Sequence, residues 1–381
     1  MINPYVTEFP ADPKYFAGRG KELGEIKKAI DYTVNSEPVT PQNVAIVGDW
    51  GIGKTSLLNK SKTIALDKDC FVCKITLTPE KCKNMDSFVY NTIDELHNAV
   101  WESDMFTPKL KESVSEWKIE SLKFLGLELK RETAKSTPST LFKNSLLDIW
   151  RRLEKPTIIM YDDLHYLADS YPMGLYDLRG IFQELRENSC RFMLMCTGIS
   201  TLFSKIRGLS EPLMRFFEHI ELKPFTLEET KEAIHLPLQR LKIDLEFDDD
   251  VVETIHKKTE GHPYFIMFFA HDIFEYKQKG TVTLKFFNSI YENIFSHLAA
   301  ARFIADLTIA SEKEKEVLFK MARLGEEIGI KEIKVPNVSV HLKRLVEKNL
   351  AVRIDRGRYK FYHPLFKKYL EMRWGRLRGV L

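Results

Sequence analysis

A glycine-rich segment between an apolar strand and a helical segment carries the residues best suited to chemistry. Residues 48–55 read Gly-Asp-Trp-Gly-Ile-Gly-Lys-Thr, an unbroken GxxxxGKT sequence. In such a loop the glycines let backbone N–H groups close around phosphate oxygens, Lys54 reaches the β- and γ-phosphates, and the Thr55 hydroxyl binds Mg²⁺. The loop also opens a helix, so the positive end of the helix dipole faces the anion. The residues predicted to bind nucleotide here are Gly48, Asp49, Trp50, Gly51, Ile52, Gly53, Lys54, Thr55 and Ser56.

Two adjacent carboxylates end a second apolar strand. Residues 158–161 are apolar and are followed by Asp162 and Asp163. At a strand end beside a phosphate loop, P-loop enzymes place the groups that coordinate Mg²⁺ and activate water. Asp162 therefore fits the metal side, directly or through water, and Asp163 fits the residue that polarises the attacking water. The competing interpretation is that the two aspartates cap a helix that starts near Leu164.

Two further side chains could act on the same nucleotide. Thr197 ends the next apolar strand and is the candidate to sense the γ-phosphate, with Ser200 as the second choice. Arg215 precedes the last predicted strand, and a guanidinium there could stabilise the transferred phosphoryl group of its own chain or of a neighbouring subunit. An ordinary strand-end hydroxyl and a solvated surface arginine are the alternatives.

A parallel α/β sheet is the element that would bring these residues together, because short apolar strands alternate with helices. The predicted strands span residues 44–47, 71–77, 157–161, 191–196 and 217–222. Predicted helices span residues 20–37, 54–67 and 178–188, and residues 83–155 are mostly helical around a segment, 117–124, whose type the pattern does not decide. Residues 226–307 are predicted to be continuously helical and to form a lid.

The last 70 or so residues differ in pattern and in charge. Predicted helices at 314–324 and 336–348 precede a hairpin of residues 350–354 and 358–362, a succession typical of a winged helix. Residues 311–381 carry 18 basic and 9 acidic side chains, a balance of +9, against −6 for the remainder. This charge suggests that the segment faces a polyanion, with a solvated lysine-rich surface as the alternative. For the winged helix, duplex DNA is the favoured ligand, with a protein-docking or autoinhibitory module as the alternative. The candidate DNA contacts are Lys343, Arg344, Arg353, Arg356 and Arg358.

Composition excludes several other classes of protein. No apolar run approaches the roughly 20 residues of a membrane helix, and the N-terminus lacks a signal-peptide pattern, so a cytoplasmic location is expected. Cys70 and Cys73 have CxxC spacing, but on a strand residues three apart face opposite sides of a sheet. We therefore expect reduced core thiols rather than a zinc or redox pair.

Two short boxes flank this core and carry a resemblance to a known family. Phe16-Ala17-Gly18-Arg19 with Glu22 resembles the hhGRxxE box of the STAND and origin-initiator branches of the AAA+ ATPases. Gly261-His262-Pro263 resembles the GxP signature of the STAND lid. The arginine-bearing sensor of the initiator branch is not evident there. The chain as a whole most resembles archaeal-type STAND ATPases with a P-loop core, a helical lid and a C-terminal winged helix. Local alternatives are a helix-entry turn at Gly18-Arg19 and a helix break at Pro263.

The resemblance implies a three-domain P-loop NTPase of the AAA+/STAND class. The expected domains are an ATPase core (1–225) with about five parallel strands flanked by helices, a helical lid (226–308) and a winged helix (309–381). It implies that Phe16, Ala17, Gly18 and Arg19 lie along adenine and that Pro263 packs on the base. The absence of an Asn-Lys-x-Asp sequence also favours ATP or ADP over guanine nucleotides.

The leading hypothesis is a Mg²⁺-dependent ATPase that works as a switch. Slow hydrolysis is expected because Asp163 stands where AAA+ motors commonly have glutamate. ATP-dependent homo-oligomerisation is a further expectation. One alternative is a DNA-binding initiator or regulator in which ATP is mainly a structural clamp. Another is a signalling or defence scaffold whose winged helix docks a protein partner. Near neutrality of the whole chain, at +3, does not separate these hypotheses.

Overall fold

The structure is a computed structural model that describes residues 2–112, 137–200, 202, 206 and 211–377. The undecided segment 117–124 lies outside these residues. The chain divides into two compact units, one of residues 9–223 and one of residues 1–8 with 224–381. The division predicted after residue 225 stays a prediction, and residues 1–8 belong to the second unit. None of the helices within the described ranges combines the length and the apolar character that crossing a membrane requires.

The first unit is built on a five-stranded, wholly parallel sheet in the order β2-β3-β4-β1-β5. Its strands are β1 (Val44–Val47), β2 (Phe71–Thr76), β3 (Thr157–Asp162), β4 (Phe192–Gly198) and β5 (Glu218–Glu221). Its helices are α1 (Gly20–Asn35), α2 (Lys54–Leu66), α3 (Met85–Glu102), α4 (Pro138–Leu153), α5 (His165–Ser170), α6 (Met173–Glu187) and α7 (Glu211–Met214). The predicted strands are confirmed, as are the predicted helices within the described residues, and β4 runs on to include Thr197.

Alternation along the buried strands builds two cores, one on each face of the sheet. In β1, Ala45 and Val47 face the core that includes helices α3, α4 and α6, whereas Val44 and Ile46 face α1 and α2. Cys73 and Cys70 divide between the same two faces, as expected for residues three apart on a strand. Both thiols are buried and free.

The second unit is mostly helical but contains two small sheets. Its helices are α8 (Leu227–Leu241), α9 (Asp249–Thr259), α10 (Pro263–Tyr276), α11 (Leu284–Leu298), α12 (Ile304–Thr308), α13 (Glu312–Ala322), α14 (Val338–Glu347) and α15 (Pro364–Leu377). Strands β6 (Leu245–Phe247) and β7 (Gly280–Val282) pair in parallel. The prediction of continuous helix over 226–307 is therefore wrong at these two strands, because three-residue strands are too short to produce a readable alternation.

The C-terminal part of this unit forms a three-stranded sheet in the order β8-β10-β9. The strands are β8 (Ile328–Gly329), β9 (Ala351–Asp355) and β10 (Arg358–Phe361). The predicted hairpin is confirmed, with Gly357 at φ 77° in its turn. The sequence did not predict β8 or α15.

Residues of the predicted lid and of the C-terminal part share one hydrophobic core. The ring of Phe303 lies 5.7 Å from those of Phe366 and Tyr369 in α15. The Tyr362 hydroxyl donates to buried Asp306 at 2.6 Å. This shared core stabilises residues 226–308 and 309–381 together, and the division predicted between them at residue 308 stays a prediction.

A buried imidazole also ties α15 to α9. The backbone N–H of Leu365 donates to Nδ1 of His363, so the proton of the neutral ring is on Nε2, which donates to the Thr259 carbonyl at 2.9 Å. His363 is 3% exposed. Both ring nitrogens are therefore used, and the neutral ring suits the site.

Stability is expected to fall in acid because of this residue. Burial lowers the pKa of His363 to about 3, whereas an unfolded histidine titrates near about 6.5. Between these values the unfolded chain binds a proton that the folded chain does not, so acidification favours unfolding by up to about 1.4 kcal/mol per pH unit. The urea midpoint of the full chain should fall more steeply from pH 7.5 to pH 5 than that of a His363→Gln variant. Equal falls would contradict this role.

Candidate functional site

The phosphate loop connects β1 to α2 and depends on glycine at several positions. Gly51 and Gly53 have φ values of 72° and 99°, which side-chain-bearing residues rarely adopt. A Cβ on Gly48 would lie 2.8 Å from Cγ2 of Ile52 and 3.2 Å from the carbonyl oxygen of Leu222. The loop therefore keeps a tight curve over the start of α2, whose first N–H groups have no partner within the helix. This is a cradle for an anion.

Lys54 begins α2 and folds back over the loop. Its Nζ donates to the carbonyl oxygens of Gly48 at 2.9 Å and Asp49 at 2.8 Å. Burial lowers the pKa of Lys54, while Asp163, Asp49 and Asp162 act in the opposite direction. The ammonium is thus held among acceptors at the mouth of the loop, where a phosphate would take their place.

Asp162 is the centre of a hydrogen-bond network beyond the loop. Its Oδ1 accepts from the Thr55 hydroxyl at 3.1 Å and from the Thr197 hydroxyl at 2.6 Å. The residue is 3% exposed. Parallel pairing of β3 between β2 and β4 places it at the carboxyl edge of the sheet beside the loop. The structure thus joins three residues that are far apart in sequence and were each predicted for the site.

Asp163 differs from its neighbour in exposure and in backbone conformation. Its side chain is 37% exposed, and its φ of 66° lies in the left-handed region, which aspartate tolerates better than most residues. Burial and the Asp162 carboxylate raise the pKa of Asp163, whereas His165 and Lys54 lower it. Helix α5, which follows, has no side-chain cap, so the capping interpretation is not supported. A carboxylate that faces solvent here can accept a hydrogen bond from water.

Thr197 and Ser200 both contact site residues, in different ways. The Thr197 hydroxyl donates to Asp162 and accepts from the Asp163 N–H at 2.8 Å, so it orients both carboxylates. Its single donor is used by Asp162, and its predicted contact with a γ-phosphate stays a prediction. The Ser200 hydroxyl donates to Oδ1 of Asp49 at 2.5 Å, which links the end of β4 to the phosphate loop.

The Gly18-Arg19 box lies directly against the phosphate loop. Arg19 is 3% exposed and donates to the carbonyl oxygen of Ile52 at 3.0 Å. Its guanidinium also pairs with Glu22 at 3.4 Å. Gly18 and Arg19 have φ values of 70° and 64° and turn the chain into α1. The box is therefore a helix-entry turn, but its arginine is not solvated. Phe16, the first residue of the box, belongs to the same hydrophobic cluster as Ile52.

Pro263 belongs to the second unit, at the first turn of α10. Gly261 before it has φ 71°, and a Cβ there would lie 2.2 Å from the carbonyl oxygen of Phe225. The predicted helix break is therefore present and requires glycine. The predicted adenine contact of Pro263 stays a prediction.

Arg215 lies at the opposite edge of the sheet from the phosphate loop. It precedes Glu218, the first residue of β5, which pairs with the first residue of β1, whereas the loop follows the last residue of β1. The Arg215 side chain is 79% exposed and pairs with Glu211 at 3.0 Å. It borders a cavity of about 1100 Å³ together with Arg179 and Arg186. This placement does not support action on the nucleotide of the same chain, and a role toward a neighbouring subunit stays a prediction.

Sequence reasoning missed Lys74, which contributes a second cation to the site. Lys74 lies in β2, and its Nζ is 3.4 Å from Oδ2 of Asp162. A lysine inside an otherwise apolar strand was the signal that could have identified it.

The basic residues predicted to contact DNA lie on α14 and on the β9–β10 hairpin. Most of their charge faces solvent, as at Lys343, whose side chain is 80% exposed. Some of it is compensated, since Arg358 pairs with Glu327 at 3.1 Å. Val340 on α14 and Val352 and Ile354 on β9 are also exposed, so the surface is apolar as well as basic.

Comparisons with known proteins identify a P-loop family and a shared fold. A sequence model of the KAP family P-loop domain matches residues 24–315. The Walker-type ATPase PABY2304 of Pyrococcus abyssi has a similar structure, with a TM-score of 0.60 at 17% identity over 93% of this chain and 96% of that one. The Aeropyrum pernix ORC2 protein, in its ADPNP–ADP complexes, gives a TM-score of 0.60 at 12% identity over 98% of both chains. At these identities the likeness shows a shared fold. No curated protein matches the sequence.

Proposed function

The chain belongs to the KAP family of P-loop domains, and on this premise we propose that it is a slow, Mg²⁺-dependent ATPase that acts as a switch. The observation that carries the proposal is a hydrogen-bond network around Asp162. This carboxylate accepts hydrogen bonds from the hydroxyls of Thr197 and of Thr55, the residue that follows Lys54. The reaction would be ATP and water to ADP and phosphate. The structural similarity to PABY2304, a Walker-type ATPase, supports this class of reaction.

The residues present fit a magnesium ion by the chemistry of their donors. Thr55 and Asp162 offer a hydroxyl and a carboxylate within 3.1 Å of each other, and Mg²⁺ takes oxygen ligands of this kind with substrate phosphates and water. Bound there, Mg²⁺ would neutralise charge on the phosphate oxygens. The loop amides and Lys54 would hold the phosphates in place. Asp163 would accept a hydrogen bond from the attacking water and orient it.

Adenine is the base we propose, on the resemblance of the flanking boxes. Phe16, Ala17, Gly18 and Arg19 would lie along it, and Pro263 would pack on it. Support comes from Arg19, whose bond to Ile52 fixes the box against the phosphate loop. The ORC2 protein, which has the same fold, binds adenine nucleotides in its ADPNP–ADP complexes. Calorimetric titration of the full chain with ATP, ADP and GTP tests this proposal, which requires GTP to bind more weakly.

We propose that the output is a change in how residues 309–381 meet a partner, and that this region is a winged helix. The shared core with residues 226–308 supports such a coupling within the unit, because the two regions would move together. Duplex DNA is the leading partner, with α14 in the major groove and the hairpin on a phosphate strand. The exposed Val340, Val352 and Ile354 favour a second candidate, a protein partner docked on the same surface. An ATP-dependent homo-oligomer in which Arg215 acts across subunits is compatible with either.

Charge reversal on the hairpin is expected to weaken DNA binding. A variant with glutamate at Arg353, Arg356 and Arg358 should bind duplex DNA at least about tenfold more weakly at low salt, with a shallower dependence on salt concentration, because fewer counterions are released. A gel-shift titration at two salt concentrations measures both quantities. The control reverses three exposed charges elsewhere on the unit, at Arg240, Lys242 and Lys279. Wild-type protein that binds no duplex at low salt contradicts the DNA proposal and favours the protein partner.

A further inference from the structure

Lys74 occupies the oxygen of Asp162 that the two hydroxyls leave open. Thr55 and Thr197 bond to Oδ1, whereas the Lys74 ammonium lies 3.4 Å from Oδ2. The Lys74 side chain is 19% exposed and that of Asp162 is 4% exposed, so solvent screens this ion pair only weakly. Both oxygens of the carboxylate are thus engaged, one by hydroxyls and one by a fixed cation.

The position of Lys74 is built into the helix that carries the phosphate loop. Its Nζ also donates to Oδ1 of Asn59 at 2.7 Å. Asn59 lies four residues after Thr55 in α2, so both side chains project from one face of the helix. Thr55 therefore reaches one oxygen of Asp162, and Asn59 holds Lys74 against the other.

The ion pair matters because the site concentrates negative charge. Asp162 and Asp163 are adjacent, and a nucleotide would bring more negative charge toward them. A buried carboxylate needs a partner, since an uncompensated charge in such a place is strongly unfavourable. A magnesium ion at Asp162 would be a second cation beside the same carboxylate, and the Lys74 ammonium would repel it.

We propose that Lys74 is a positioning residue that serves as the resident counter-cation of Asp162, and this inference rests on the proposed function. The ammonium holds the carboxylate in place when no metal is bound, and its charge opposes Mg²⁺ while it favours the free nucleotide. The site therefore retains nucleotide with less dependence on Mg²⁺ than its two aspartates alone would allow. Such a property suits a switch that keeps ADP bound after hydrolysis.

The test compares the affinity for mant-ADP in EDTA with that in excess MgCl₂, using the full chain. In Lys74→Met, the affinity for mant-ADP in EDTA should weaken. The Mg²⁺ concentration that gives half-maximal mant-ADP binding should fall, because a nearby cation that repels Mg²⁺ has been removed. The ratio of the dissociation constant in EDTA to that in MgCl₂ should rise about tenfold, as expected for the loss of one charge at this distance and with this partial burial. Lys74→Arg should restore the wild-type ratio.

The matched control is Lys155→Met, which removes a lysine just before β3, the strand that ends at Asp162. Its Nζ pairs with Asp69 at 2.6 Å, at the opposite end of this strand from Asp162. An unchanged ratio in Lys74→Met overturns the inference while leaving the proposed function intact, whereas wild-type protein that binds no mant-ADP in either buffer overturns both. If Lys74→Met does not fold, Asn59→Ala gives the same test, because it releases the ammonium without removing it, and it should raise the ratio in the same direction.

Discussion

Replacement of Lys54 with alanine is expected to abolish nucleotide binding. The Nζ atom lies 2.9 Å and 2.8 Å from the carbonyl oxygens of Gly48 and Asp49, inside the curve of the loop. Without this ammonium, no cation of the loop itself would offset the charge of phosphates placed beside Asp162 and Asp163. We expect the dissociation constant of ATP to rise at least about 100-fold, in line with a charge-assisted contact in a partly desolvated site. Equilibrium binding of mant-ATP measures this change.

A lysine on the same helix provides the control for this experiment. Lys62 lies two turns further along α2, away from the loop, and Lys62→Ala should bind ATP as the wild type does. Retained binding by Lys54→Ala would show that the loop does not hold the phosphates. Loss of binding in both variants would point to damage to α2 instead.

The second large effect is expected at Asp163, where turnover and binding should separate. Asp163→Asn should bind ATP with nearly wild-type affinity but hydrolyse it about 100-fold to 10,000-fold more slowly, the range for loss of a general base. Asparagine tolerates the left-handed φ of 66° as well as aspartate does, so the backbone should keep its course. The substitution thus removes the charge and little else. Single-turnover phosphate release at saturating ATP measures the rate.

Asp169→Asn is the matched control, because Asp169 lies in α5 shortly after the site and is exposed. Normal hydrolysis by Asp163→Asn would remove the role assigned to this carboxylate. Weakened binding without a change in rate would instead assign Asp163 to the ground-state contacts of the nucleotide.

Local sequence patterns were sufficient to predict the core of this fold. β1 and residues 158–161 of β3 are continuous apolar segments because parallel strands are buried on both faces. The loop from Gly48 to Thr55 could be identified because its spacing is fixed by the phosphate it suits. The same reasoning located Asp162 and Asp163, since parallel strands end at one edge.

Contacts between distant residues could not be predicted in the same way. The hydrogen bond from Arg19 to Ile52 depends on how α1 packs beside the loop, and the ion pair of Lys74 with Asp162 depends on strand order. A sequence gives residue types but not the order β2-β3-β4-β1-β5 that makes Lys74 a neighbour of Asp162. The strands β6 and β7 were missed because three residues do not establish a period.

Phosphate release from ATP by the wild-type full chain, compared in excess MgCl₂ and in EDTA, shows whether Thr55, Asp162 and Asp163 together form a metal-dependent hydrolytic site beside Lys54. We predict slow, repeated release of one phosphate per bound ATP in MgCl₂ and no release in EDTA. Tight binding of ATP with no phosphate release in MgCl₂ would contradict it and would leave the nucleotide as a structural clamp.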